Sequence, residues 1–157
     1  MRIRSLAGLA LALVGALAAA QPAAARTMTI PTNGRWSGIE QDPGADAAIA
    51  TFKVHSRNVR DLGFSIPINC ENSDTGQSTT AIFRGGKGDA APDGHHIGRS
   101  GVLRLVWTES DAGREAHIHV EITFAARRPT ITVQFTTSGE VEHCDAFSVI
   151  RLRHSAH

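Results

Sequence analysis

Three alternating residues, His117-x-His119-x-Glu121, carry donor atoms suited to a metal. Positions i, i+2 and i+4 of an extended strand share one face, and two imidazoles with a carboxylate are ligands that zinc or copper accepts. The plain alternative is a solvated sheet face. In the strand register derived below, Arg104 lies across from His119, Thr136 flanks it, and Arg104 reaches Glu121 diagonally. That guanidinium repels an approaching cation, and the ion pair contributes ~0.2–1 kcal/mol. A second cluster, Asp89-Ala90-Ala91-Pro92-Asp93-Gly94-His95-His96, also offers carboxylates and imidazoles. No regular backbone fixes them, so gathering them around an ion loses chain entropy, and a solvated turn explains them as well.

Cys70 and Cys144 are the only cysteines, and His143 precedes the second. An imidazole beside a thiol can hold a thiolate, the arrangement of a nucleophile. A disulfide sulfur has no thiolate to offer, so the redox compartment decides between these readings. Other catalytic patterns are missing. The chain has no Gly-x-Ser-x-Gly elbow, and Gly98-Arg99-Ser100-Gly101 has the wrong spacing for one. Arg84-Gly85-Gly86-Lys87-Gly88 lacks the Gly-Lys-Ser/Thr ending of a phosphate cradle. Trp36 and Trp107, in a chain without tyrosine, read as core or rim residues, not as a sugar platform. No cofactor is implied.

The compartment is written at the start of the chain. Arg2 and Arg4, an apolar run from Leu6 to Ala20, and Ala23-Ala24-Ala25 have the order of a secretory signal peptide, residues 1–25, with Arg26 as the new N-terminus. Residues 26–157 then form one domain in an oxidising compartment, secreted or periplasmic, with no membrane association after cleavage. There Cys70 and Cys144 are expected to form one disulfide, worth ~4 kcal/mol by loop entropy; two free or metal-bound thiols are the alternative. Cleavage removes two of sixteen basic residues and none of fifteen acidic ones, leaving fourteen against fifteen and a net charge of −1. Such a balance gives no support to nucleic-acid or anionic-membrane binding by bulk charge. Of the mature basic residues only Lys53 and Lys87 are lysines, which genome composition explains as readily as guanidinium chemistry.

The elements that must position these residues are strands. Ile118, Val120, Ile122 and Phe124 alternate with His117, His119, Glu121 and Thr123, and Thr130 to Thr136 alternates in the same way after Arg127-Arg128-Pro129. Pairing Phe124 with Ile131, Ile122 with Val133 and Val120 with Phe135 places every apolar residue on one face. Upstream, Leu103, Leu105 and Trp107 alternate, and pairing Leu105 with Ile118 leaves Glu109 to Arg114 as a loop. Residues 102–136 thus read as a three-stranded antiparallel meander. Further strands are read at Arg35–Ile39, Ile49–His55, Val59–Cys70, Ser78–Phe83 and Val141–Arg153. Pro67 within the third of these argues for an edge or a bulge. Gln41 to Ala48 and Arg84 to Gly101 read as loops. About eight strands and no helical periodicity predict an all-β, antiparallel two-sheet sandwich, with a barrel as the alternative.

Gly34-x-Trp36-x-Gly38, then Phe52-x-Val54, Val59, Leu62-x-Phe64-x-Ile66-x-Ile68-x-Cys70, and finally Ser138-Gly139 before Cys144, resemble a loose group of small secreted bacterial β-sandwich proteins of unknown function. The resemblance implies an immunoglobulin-like or related sandwich and a bacterial source. It brings no activity and no catalytic residues. Trp36, where that group has tyrosine or phenylalanine, and the long Arg84–Gly101 stretch depart from it. The functional expectation is a binding or structural module whose partner is a protein or a small ligand. A copper- or zinc-binding protein using His117, His119 and Glu121 is the alternative.

Overall fold

Alternating apolar residues produce nine strands in the computed structural model, which describes residues 31–40, 47–86, 95–111, 114–124, 128–139 and 141–155. They are β1 (Gly34–Ile39), β2 (Ile49–His55), β3 (Asn58–Asn72), β4 (Ser78–Gly85), β5 (His95–His96), β6 (Val102–Asp111), β7 (Arg114–Thr123), β8 (Thr130–Ser138) and β9 (Glu142–Ser155). The signal peptide expected at residues 1–25 lies outside the described residues. All nine strands belong to one continuous antiparallel sheet, ordered β4-β3-β2-β1-β9-β8-β7-β6, with β5 beside β3. The short β5 falls within Arg84–Gly101, which the sequence pattern assigns wholly to a loop.

The sheet forks. At one end β3 and β9 are direct neighbours, pairing Asn69 with Asp145 and Cys70 with Cys144. At the other end the β1–β2 hairpin separates them, β2 lying along Asn58–Ser65 of β3 and β1 along Arg151–Ser155 of β9. Pro67 sits where β3 has left β2 and not yet met β9. It marks a change of partner, a local edge where a missing amide donor is tolerated. The Cys70–Cys144 disulfide closes the end where the two strands touch, with Cα atoms 4.0 Å apart.

One face of the sheet is buried along most of its strands, β4 excepted from Ser78 to Ile82. Ring contacts link strands far apart in the order: Phe64 with Trp107 at 6.2 Å, Phe83 with Phe135 at 4.3 Å, and Trp36 with Phe124 at 5.3 Å. Side chains of the β4-β3-β2-β1 half and of the β9-β8-β7-β6 half therefore meet in one hydrophobic core. Val120, Ile122 and Phe135 are buried in it, as the alternation requires. Gly38 permits close approach of β1 to β9, because a Cβ there would run into the Arg151 carbonyl and the Ile150 side chain.

Face assignments in the meander agree with the sequence, but the register differs by two residues. Ile122 pairs with Ile131, Val120 with Val133 and Ile118 with Phe135, while Leu105 pairs with Val120. For β6 and β7 the reason is hairpin length. β6 and β7 continue to Asp111 and Arg114, leaving two residues between them, the commonest hairpin connection, instead of the six-residue loop read from Glu109 to Arg114.

Two other irregularities have local causes. Ser56 and Arg57, between β2 and β3, both adopt positive φ, as a type I′ turn requires. The Asn33 side chain accepts the Ser56 amide, and the Arg57 guanidinium donates to the carbonyls of Ile97 and Gly98. Asp61, also at positive φ, is the extra residue of a bulge in β3, which shifts the buried series from Val59 to Leu62.

Candidate anion-binding face

The corrected register rearranges the outward face of the meander. Arg104 stands directly opposite Glu121, and Nε donates to Oε2 at 2.6 Å. His119 lies between Val106 and Gln134, so the diagonal pairing inferred from the sequence is replaced by a direct one. His117 Nδ1 is 3.2 Å from the Thr108 hydroxyl, and its Nε2 is 3.9 Å from Glu115 Oε2. Hydroxyl, imidazole and carboxylate in a row echo a nucleophile relay, but 3.9 Å is beyond hydrogen-bond reach and all three groups are solvent-facing on an open sheet.

His117, His119 and Glu121 share a face without converging. Among the described residues one group brings three ligand atoms within 4.8 Å of one another: Cys70, Glu142 and Cys144. Its two sulfurs are bonded to each other, which leaves no thiolate to hold an ion. His143 follows the same logic beside Cys144. Asp89 to Gly94 lie outside the described residues, while His95 and His96 form β5 against Val59 and Asn58. Trp36 and Trp107 are buried core residues.

The charge pattern of the opposite half was not visible in the sequence. On the outward face of β9-β1-β2-β3, Arg35 faces Lys53, and Lys53 faces Arg60. Three exposed cations thus occupy one row across three strands. Like charges directly opposite on a ladder destabilise it. Asp61, placed by its bulge, meets Lys53 at 2.6 Å; Arg35 and Arg60 have no ion pair among the described residues.

The same face carries a groove of about 890 Å³ where β1 meets β9. Arg128, Arg151 and Arg153 line it with the exposed side chains of Ile39 and Ile49, and with one carboxylate among the described residues, Glu40. The register explains the clustering. Arg153 faces Ser37 and Arg151 faces Ile39 across β1, while Thr130, two residues after Arg128, faces Arg151 across β8. Arg128 and Arg153 have no ion pair among the described residues. From Arg128 to Arg60 the six cations span four strand spacings, roughly 19 Å.

Guanidinium groups present paired donors that match carboxylate, phosphate and sulfate oxygens, and an array of them selects a ligand carrying several such groups. No family model, curated relative or solved structure matches the chain.

Proposed function

We propose that the chain is an exported binding module, secreted or periplasmic after removal of residues 1–25, that holds an extended polyanion without acting on it chemically. The facing halves of the sheet serve as the two layers of an immunoglobulin-like sandwich, a rigid support for one charged face. The observation that carries this reading is the row Arg35–Lys53–Arg60, with Arg153 and Arg151 further along the same outward face, opposite Ser37 and Ile39. A sheet that only had to fold gains nothing from like charges set side by side; a sheet that binds an acidic polymer gains ligand contacts at each of them. The groove adds apolar contact through Ile39 and Ile49, suited to the hydrocarbon faces of a carbohydrate chain bearing acidic groups. The disulfide and the oxidising compartment implied by the leader fit an envelope or extracellular ligand.

Calorimetric titration with dextran sulfate, with neutral dextran as control, tests this. The sulfated polymer should bind with an affinity that falls steeply as salt rises, because neutralised charges release counterions. Arg35→Glu/Arg153→Glu should weaken binding by roughly tenfold or more. Equal binding of neutral dextran, or an affinity indifferent to these substitutions, would falsify the proposal.

A further inference from the structure

The two edge strands of the sheet, β4 and β6, are built differently. β6 carries Arg104, held by Glu121, and Glu109, which accepts the Trp107 indole proton at 2.8 Å. Charges of this kind protect an edge from pairing with another chain. β4 has one such charge, Arg84, next to its last residue, and none along the rest of its length. No charged residue and no proline falls between Asp74 and Arg84, and the register with β3 runs without a bulge over eight residues. Ser78 to Ile82 are exposed on both faces.

We propose that β4 pairs antiparallel with β4 of a second copy of this chain, across a twofold axis at Ala81, and that two ion pairs between Glu71 of one copy and Arg84 of the other fix the register. This rests on the β4 edge alone and is independent of the anion-binding face. Thr79, Ala81 and Phe83 lie on the core side with Cys70, Ile68 and Ile66; Ser78, Thr80, Ile82 and Arg84 lie on the outer side with Glu71, Asn69, Pro67 and Ser65. Pairing must match like faces. Two overlaps of seven residues match like faces, centred on Ala81 and on Ile82; the first sets Ala81 against Ala81, Thr80 against Ile82, Thr79 against Phe83 and Ser78 against Arg84, and it alone forms the ion pairs. One row then reads Glu71, Ser78, Arg84 of the second copy, and its Ser65.

Glu71 and that Arg84 are two strand spacings apart, roughly 10 Å between backbones, with only the small Ser78 between them. Extended Arg and Glu side chains span this distance over a serine. Both are exposed and without an ion pair among the described residues of the single chain. The twofold axis makes the pair twice. A slip of two residues sets Arg84 opposite Thr80, beside Asn69, and both pairs are lost. Self-complementarity of this kind is what an isologous interface requires.

Sedimentation velocity on the oxidised protein over a range of concentrations tests the proposal. A reversible dimer is expected; Arg84→Glu should weaken it by roughly tenfold or more, and Glu71→Arg combined with Arg84→Glu should restore it. Both positions are exposed, so neither change threatens the fold. Ala81→Cys should give a covalent dimer on oxidation, whereas Thr51→Cys, on the outward face of β2, should not. A monomer at every concentration, a dimer indifferent to Arg84→Glu, or equal cross-linking at both cysteine positions would overturn it.

Discussion

The outward face of β6-β7-β8 and that of β9-β1-β2-β3 belong to one sheet, yet they handle charge in opposite ways. On the meander Arg104 meets Glu121 at 2.6 Å, and the remaining row positions near the histidines are mostly threonine, glutamine and valine. On the other half Arg35, Lys53 and Arg60 stand side by side, and among the described residues the ion pair of that row is Lys53 with Asp61. The first face is organised by its own folding. The second keeps unfavourable neighbours, and on the function proposed above an external partner supplies the missing counter-charge. Net charge conceals this contrast, because a chain near neutrality can still divide its cations and anions between regions.

The largest effects should come from what both faces rest upon. Ile122→Ala, beneath the meander, should lower unfolding free energy by ~2–5 kcal/mol through lost burial and a cavity, measured by chemical denaturation. His119→Ala, on the solvent side of the same strand, should change it by roughly 0.5 kcal/mol or less. A more damaging His119 change would reverse the assignment of the two faces.

Removing the covalent link at the fork should be comparable. Cys144→Ser should lower stability by ~4 kcal/mol on the loop-entropy model, visible as a marked drop in thermal midpoint, and thiol titration of the oxidised parent under denaturing, non-reducing conditions should find none free. Two titratable thiols would remove the support for an oxidising destination.

The smallest effects separate the two faces directly. Arg104→Ala should destabilise by up to ~1 kcal/mol, the scale of an exposed ion pair. Arg60→Ala should leave stability unchanged or raise it by a few tenths of a kcal/mol, about the scale of a relieved cross-strand repulsion, while weakening dextran sulfate binding. If both substitutions destabilised equally, Arg60 would be a folding residue and the contrast between the faces would collapse.

Much of the architecture is legible in residue order, because strict alternation assigns each side chain to a face. Ile122, Val133 and Phe135 are readable as core for that reason. Alternation leaves register undetermined by steps of two, since a two-residue slip preserves both faces; for β6 and β7 the pairing of Asp111 with Arg114 settles it, and that cannot be read from a pattern of period two. Arg35, Lys53, Arg60 and Arg153 are harder to group for a different reason. Lys53 faces Arg60 and Arg35 through successive hairpins, but Arg153 and Arg151 join their face only because the β1–β2 hairpin wedges between β3 and β9, a non-local pairing without a local signal. The histidines of β7 drew attention because their spacing is local, whereas the ligand atoms needed to complete a site would have to come from neighbouring strands.

The fork also has a mechanical meaning. Arg35 near the start of the described domain stands beside Ser155 near its end, so a pull on the two ends would peel β9 from β1 rung by rung. Tension would then run along the chain as far as Cys70 from one side and Cys144 from the other, and there the covalent bond would carry it across. Residues 71–143, including β4 and the whole meander, lie within the closed loop and would feel no stretch while that bond holds. Reduction would be the event that exposes them to force.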